Sequence, residues 1–165
     1  MSNKDRFINL TLWLLFVFMP FHVDATTLSM HLHGQIDNRC EINFNSGNVI
    51  DLSGRKSETL PFDLFCNQPF NIALSSKNGG LKLKSDADGH LTNYLFEIDI
   101  NKTKTSEKFD SQSLLSPNSV NSFGVIPFTT QGEIRITLEN ILLFAGQYSD
   151  VVEIDIYPSI HNVTK

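Results

Sequence analysis

Residues 26–39 read TTLSMHLHGQIDNR, and this stretch decides how the rest of the chain is organised. Its apolar side chains stand on alternate residues, with Gly34 in the one gap: Leu28, Met30, Leu32 and Ile36. Because side chains two residues apart share a face of a β-strand, the pattern predicts a strand with one apolar row. Such a strand is either the first strand of a complete sandwich or a detachable strand offered to a neighbouring molecule.

The opposite face of this predicted strand is polar and carries two histidines. Ser29, His31, His33 and Gln35 fall on it. Two histidines on one face could bind a metal ion, but no third ligand stands near them in the sequence. Solvated strand histidines are the simpler interpretation, and we predict no metal site and no cofactor.

Residues 1–25 predict a cleaved secretory signal peptide. Lys4 and Arg6 make its start positive, residues 10–21 are almost wholly apolar, and residues 23–25 place small side chains where a signal peptidase cleaves. The apolar run of about 12 residues is shorter than the roughly 20 that a membrane-spanning helix needs. The alternative is an uncleaved membrane anchor.

The rest of the composition favours one all-β domain. A chain of 165 residues suits a single domain, and its 13 phenylalanines favour strands over a helical bundle. The formal net charge of −5, with both signs interspersed, argues against a nucleic-acid surface. The alternating segments predict seven or eight short strands. They cover residues 40–44, 49–52, 60–66, 70–76, 81–83, 94–100, 133–138 and 148–157.

Three connections between these strands carry their own predictions. The sequence Asn78-Gly79-Gly80 predicts a hairpin turn. Residues 101–122 are polar and predict a long loop, whereas residues 141–144 are apolar and predict a buried connection. The two cysteines, Cys40 and Cys66, are an even pair in a chain with a signal peptide, which predicts one disulfide.

The end of the chain makes a poor closing strand. Pro158 cannot donate a backbone hydrogen bond to a sheet, and the eight residues from Pro158 to Lys165 have only scattered apolar positions. If residues 26–36 belong to a neighbour, the sandwich is one strand short. A chain with a spare strand at one end and a vacant groove at the other predicts head-to-tail assembly by strand addition.

These features together resemble a subunit of the chaperone–usher pilus family, with some similarity to spore-coat-U-like pilins. The resemblance is carried by the signal peptide, the alternating run with Gly34, and Cys40 soon after it. Cys66 at the end of the strand that begins Leu60-Pro61-Phe62 fits as well. So does AGQYSD at residues 145–150, which leads into an alternating last strand.

The resemblance implies a fold and a set of functional residues. The fold would be an all-β, incomplete immunoglobulin-like sandwich that lacks its last strand and is completed by strand donation. Residues 1–25 would be the signal peptide, 26–37 the donor strand and 38–165 the pilin-like domain. Leu28, Met30, Leu32, Gly34 and Ile36 would bind the neighbouring subunit, and Cys40 and Cys66 would link the first two strands. The last strand would flank the acceptor groove with Tyr148, Val152, Ile154 and Ile156.

The same resemblance implies partners and a location. A periplasmic pilus chaperone, an outer-membrane usher and neighbouring pilus subunits would bind the chain, which would be secreted through the periplasm into a fimbrium on the bacterial cell surface. The fimbrium would support cell adhesion. No small-molecule substrate is expected.

Other functional classes remain as alternatives. The chain could be a tip adhesin that binds a host receptor, or a secreted immunoglobulin-like protein that does not polymerise. An enzyme is not predicted, because no GxSxG, HExxH or phosphate-binding loop is present and the acidic residues fall on turns and outer strand faces.

Overall fold

The computed structural model describes most of residues 26–165. The described ranges are 26–85, 89–122 and 126–159, apart from the side chain of Pro127. The predicted signal peptide and residues 160–165 lie outside them. The chain divides between Gln35 and Ile36, and the part that begins at Ile36 forms one compact unit.

The described residues are all-β, with two short 3₁₀ helices (Asn101–Thr103 and Ser113–Leu115) and no α-helix among them. The eleven strands are β1 (Cys40–Asn43), β2 (Ser57–Cys66), β3 (Phe70–Ser76), β4 (Leu81–Leu83), β5 (Leu91–Thr92), β6 (Tyr94–Ile100), β7 (Thr105–Asp110), β8 (Asn118–Ser122), β9 (Ile126–Leu138), β10 (Tyr148–Ser149) and β11 (Val152–Pro158).

These strands form three antiparallel sheets. The largest has five strands in the order β1-β2-β9-β6-β7, and a three-stranded sheet has the order β11-β3-β8. A second three-stranded sheet, β10-β4-β5, is made of short strands. β2 pairs with β9 from Ser57 opposite Thr137 to Cys66 opposite Ile126, with one bulge after Leu64. These two strands and β6 form the continuous centre of the five-stranded sheet.

Alternation of apolar residues explains which faces meet. Every second residue of β3 and β6 is buried, as the sequence predicts for Tyr94, Phe96, Ile98 and Ile100. Buried side chains of the five-stranded sheet and of the β11-β3-β8 sheet belong to one apolar cluster. Two sheets that share a single core are consistent with a β-sandwich.

A disulfide joins Cys40 to Cys66, the pair that the sequence predicts. The two residues are direct partners in the β1–β2 ladder, which extends only from Cys40 opposite Cys66 to Asn43 opposite Asp63. β1 therefore covers only one end of β2. Pro61 lies beyond that end, where β2 has no neighbour on the β1 side, so its missing N–H leaves no ladder bond unmade.

Two polar strands correct the prediction of a long loop at residues 101–122. β7 pairs with β6, and β8 pairs with β3. Each is the outermost strand of its sheet and places few apolar side chains in the core, among them Phe109 and Val120. Their sequences therefore lack the strong alternation on which the strand prediction depended.

Three further predictions were wrong. Gly79 does make a turn, with φ of 69°, but no hairpin forms, because β3 is already paired on both edges by β11 and β8. Residues 49–52 form no strand. The connection at 141–144 is mostly exposed: Ile141, Leu143 and Phe144 have exposed fractions of 67%, 67% and 56%, and only Leu142 packs against the core.

Candidate functional site

β11 lies at the open edge of the β11-β3-β8 sheet, and its inward side chains are incompletely covered. Val152, Ile154 and Ile156 point inward, as the alternation predicts, but each is only half-buried. Their partners on β3, which include Leu74 and Ile72, are fully buried. The difference arises because β3 has a strand on both sides, whereas β11 has one on a single side.

The backbone of β11 is open on the same side. Lys77 donates its N–H to the Val151 carbonyl and Ser159 donates its N–H to the Pro69 carbonyl, both at 2.9 Å. The odd-numbered residues of β11 therefore bond to β3. The N–H and C=O groups of Val152, Ile154 and Ile156 point to the other edge, where no described strand pairs with β11. An edge of this kind is a template for another strand.

An apolar groove of about 490 Å³ runs beside this edge. β11 forms one wall, the segment that follows β1 forms the other, and strands of the five-stranded sheet form the floor. The apolar lining consists of Phe44, Val49, Ile50, Leu52, Leu60, Leu81, Phe96, Ile134, Ile136, Val151, Val152 and Ile154. The groove thus opens directly onto the hydrophobic core.

Residual exposure within the core is concentrated along this groove. Leu52, Leu60 and Ile136 are the most exposed of the buried apolar residues, at 8%, 8% and 7%, and all three line the groove. Val49, at the rim, has an exposed fraction of 78%. The most exposed residues of the buried core therefore lie along this groove.

Asp150 fixes one end of the groove through its two carboxylate oxygens. Its Oδ2 accepts hydrogen bonds from the hydroxyls of Ser76 (2.6 Å) and Tyr94 (2.7 Å). Its Oδ1 accepts from the backbone N–H groups of Asn78 (3.0 Å) and Val151 (2.8 Å). Hydrogen bonds to an ionised carboxylate are among the stronger ones in proteins. They tie the start of β11 to β3, to the turn after β3 and to β6.

Tyr94 reaches Asp150 from inside the core. Its side chain is almost completely buried. Burial raises the pKa of the phenol far above its ordinary value, and the hydrogen bond that it donates to Asp150 raises this pKa further. The neutral phenol is therefore the form that the fold requires.

Residues 26–39 have no regular secondary structure and form no strand. The side chains of the predicted apolar row are almost fully exposed: Leu28 95%, Met30 77%, Leu32 80% and Ile36 86%. A Cβ added at Gly34 would meet no atom within 4 Å. The segment is thus not a first strand of either large sheet. Four large apolar side chains in alternate positions are left without cover.

The structure brings together only part of the predicted groove residues. Val152 and Ile154 line the groove, and Ile156 packs against the core on the same face of β11. Tyr148 does not line it, which corrects the prediction of one continuous strand from 148 to 157. It belongs to β10, pairs with Leu83, and donates its hydroxyl hydrogen to the Phe144 carbonyl.

Sequence reasoning missed the wall opposite β11 and the polar end of the groove. The sequence predicts ordinary strands at Phe44 and Leu52 and indicates no role for Asp150. The alternation at residues 40–44 did indicate an inward Phe44. Nothing local marks Asp150 as the acceptor for Tyr94, because the two residues are 56 positions apart in the chain.

Neither a metal site nor a membrane-spanning helix is found in the part of the chain that the structure describes. No three His, Cys, Asp or Glu side chains lie close enough together there to hold a metal ion. None of its helices is long and apolar enough to cross a bilayer.

No protein-family model matches the chain, and no curated protein shows significant similarity to it. A functional proposal therefore depends on the groove, on residues 26–36 and on the pattern of the sequence.

Proposed function

We propose that this protein is a structural or adaptor subunit of a bacterial surface fimbria. Its groove would receive a strand from a neighbouring subunit, and its own residues 26–37 would fill the groove of another, by donor-strand exchange through a periplasmic chaperone and an outer-membrane usher. The observation that carries the proposal is that one chain has both an open apolar groove and an exposed apolar segment that could fill such a groove. An apolar groove opens beside an unpaired strand edge, and an apolar alternating segment stands uncovered.

The strand order supports an immunoglobulin-like sandwich without its last strand. A complete domain of that type has the sheet orders A-B-E-D and C-F-G. β1-β2-β9-β6 corresponds to the first order, and β3-β11 corresponds to C-F. The position of strand G would then be the open edge of β11, which is where the groove lies. Strands β7 and β8 and the β10-β4-β5 sheet are additions to this frame.

The apolar contact supplies the main driving force of the proposed assembly. Burying one large aliphatic side chain stabilises a complex by roughly 1.5–3 kcal/mol, so Leu28, Met30, Leu32 and Ile36 would contribute on the order of 6–12 kcal/mol. The ordering of both partners offsets part of this gain. The added strand would also cover the Leu52, Leu60 and Ile136 side chains, which lie in the groove.

Backbone hydrogen bonds would hold the incoming strand against β11. The even-numbered residues of β11 would exchange hydrogen bonds with the incoming strand, as in other cases of β-augmentation. Two of them, Val152 and Ile154, also line the groove with their side chains. Side chains and backbone of the incoming strand would therefore be recognised by the same residues.

A strand-complemented variant tests the proposal. In this variant a second copy of residues 26–37 is attached after Lys165 through a flexible Gly/Ser linker. We expect the mature chain alone to be unstable or to aggregate, and the variant to be a soluble monomer with cooperative unfolding. The matched control carries Met30→Asp and Leu32→Asp in the added copy only, which keeps the length and removes the apolar row.

Urea unfolding and size-exclusion chromatography provide the readout. The proposal would be contradicted if the mature chain were a stable monomer with the same unfolding midpoint as the strand-complemented variant. Co-expression with a cognate pilus chaperone gives the second test, because the chaperone should hold the mature chain as a soluble complex. Glycan-array binding by the variant would instead favour the tip-adhesin alternative.

A further inference from the structure

We propose that the occupant of the groove is a second copy of this same chain, selected by charge pairing along the groove rim. His31 and His33 of one copy would lie beside Glu153 and Asp155 of the next. This inference rests on the proposed function, and it adds to it the identity of the donor and a dependence on pH.

The pleat of a β-strand decides which side chains meet. If the apolar row of the donor enters the groove, the opposite row, which includes His31 and His33, faces outward. On β11 the inward residues alternate with Glu153, Asp155 and Tyr157, which are exposed on the outer face. Residues directly opposite each other on adjacent strands share a face, so the histidines of the donor stand next to these carboxylates.

The spacing permits both pairs at once. The two histidines are two residues apart, and so are Glu153 and Asp155. An antiparallel donor pairs His31 with Asp155 and His33 with Glu153, and a parallel donor exchanges the partners. Either direction also places Leu32 opposite Ile154, at the middle of β11. The register that places the histidines opposite the carboxylates therefore also places Leu32 opposite Ile154, and the strand need not shift to satisfy both.

The rim carboxylates have no partner within the described part of the subunit. Neither Glu153 nor Asp155 takes part in an ion pair or a side-chain hydrogen bond there. Two acids on adjacent outward positions of an edge strand are also the arrangement that deters indiscriminate strand pairing. A donor with cationic side chains on its outer face is favoured over a neutral or acidic one.

Asp51, between the groove residues Ile50 and Leu52, accepts a hydrogen bond from the Ser53 N–H, and other charged groups near the groove are also paired or lie at its end. Glu41 on β1 is held by Arg39 at 2.7 Å, and Asp63 on β2 accepts a hydrogen bond from Asn45. Lys77 follows β3 at the end of the β11–β3 ladder. The outward residues of β3 opposite the two rim carboxylates are Ser75 and Ala73, which are uncharged. The free negative charge on this rim is thus that of the two β11 carboxylates.

Histidine chemistry makes the contact depend on pH. An imidazole becomes positively charged in a growing fraction of molecules as pH falls from about 7 to about 5, while carboxylates stay largely ionised. In the proposed contact, a positive charge on a donor imidazole is stabilised by the neighbouring carboxylates of Glu153 and Asp155. Assembly should therefore strengthen as pH falls through this window and weaken as it rises.

A labelled peptide tests the inference directly. The probe is a fluorescein-labelled peptide of residues 26–37, and the acceptor is the mature chain with Met30→Asp, whose own extension is disabled. The acceptor is refolded from denaturant in the presence of peptide, and binding is measured by anisotropy at about pH 5.5 and about pH 7.5. We expect affinity to be about 3- to 10-fold higher at the lower pH, the range for two exposed charge pairs.

Three variants show where the pH response arises. A His31→Gln/His33→Gln peptide should lose it, and so should a Glu153→Gln/Asp155→Asn acceptor. A Glu107→Gln/Asp110→Asn acceptor, altered on the far strand β7, should keep it. Far-UV circular dichroism of each complex confirms folding.

The outcomes separate the inference from the proposed function. A pH response that persists in the glutamine peptide or in the rim variant would overturn charge pairing while leaving strand exchange intact. Failure of every peptide to bind at both pH values would overturn the proposed function together with the inference.

Discussion

At the scale of single residues, the Asp150 carboxylate accepts four hydrogen bonds at the point where β11 begins. Two of the donors, the hydroxyls of Ser76 and Tyr94, belong to buried residues. A buried hydroxyl that loses its acceptor keeps the full cost of desolvation. Asp150 therefore stabilises both the core beneath the groove and the starting position of its edge strand.

Asp150→Ala should lower the free energy of unfolding of the strand-complemented variant by about 2–4 kcal/mol, because several charge-assisted hydrogen bonds are lost together. Urea titration measures the change. Asp110→Ala on β7 is the matched control. Its carboxylate is exposed and takes part in no ion pair or side-chain hydrogen bond within the described residues, so the expected loss is below about 0.5 kcal/mol. Equal losses for the two variants would contradict the role of Asp150.

Tyr94 should make the fold sensitive to alkali. Its pKa is raised in the folded protein by burial and then by the hydrogen bond to Asp150. The unfolded phenol titrates near 10, so its contribution to stability is complete below about pH 10 and declines as pH rises further. We expect Tyr94→Phe to show a smaller loss of stability than the parent between about pH 9 and pH 11. Urea midpoints of the strand-complemented protein at these pH values provide the comparison, and parallel declines would refute the assignment.

At the scale of elements, substitutions at two glycines distinguish effects on folding from effects on assembly. A Cβ on Gly132 of β9 would stand 2.8 Å from the Asp99 carbonyl oxygen and would also overlap the Phe62 ring. A Cβ on Gly34 would meet nothing within the subunit. The first glycine is thus required by the packing of this domain, and the second has no such constraint in the isolated chain.

Gly132→Ala should therefore destabilise the domain by about 1–3 kcal/mol through overpacking, measured by urea unfolding of the strand-complemented variant. Gly34→Val in the amino-terminal copy should leave that stability unchanged. In the mature chain, however, it should reduce assembly, measured by sedimentation velocity, because it adds a branched side chain to the face of the proposed donor strand that enters the groove. Assembly of Gly34→Val at the parental level would contradict the proposed donor register.

Strong alternation made several elements predictable, and its absence hid others. The apolar alternation predicted β3, β6 and the inward face of β11, and the even number of cysteines predicted the disulfide. β7 and β8 escaped prediction because outermost strands bury few side chains. The break between β10 and β11 depends on the contacts of Asp150 with β3 and β6, which no local pattern encodes.

The candidate groove was predictable in outline and not in detail. The alternation of residues 148–157 indicated an apolar row on one strand, and two residues of that row, Val152 and Ile154, line the groove. The opposite wall is built by residues 44–52, which have little regular structure, so their position is set by tertiary packing alone. Sequence reasoning could name one side of the groove and not the other.

At the scale of the whole molecule, the proposed subunit would bind its neighbours through two unlike elements. One is the groove beside β11, and the other is residues 26–37. A contact between unlike surfaces is heterologous, and it generates a fibre unless its rotation closes a ring. The central claim is that β11 is unpaired on one side and pairs there with a strand from another subunit.

Amide hydrogen exchange measured by NMR tests this claim most directly. It compares the mature chain, held soluble at low concentration, with the strand-complemented variant. The amides of Val152, Ile154 and Ile156 point away from β3, so the account predicts that they exchange quickly in the first protein and slowly in the second. The amides of Glu153 and Asp155 bond to β3 and should be protected more evenly in both proteins. Equal protection of Val152, Ile154 and Ile156 with and without the added strand would contradict the account.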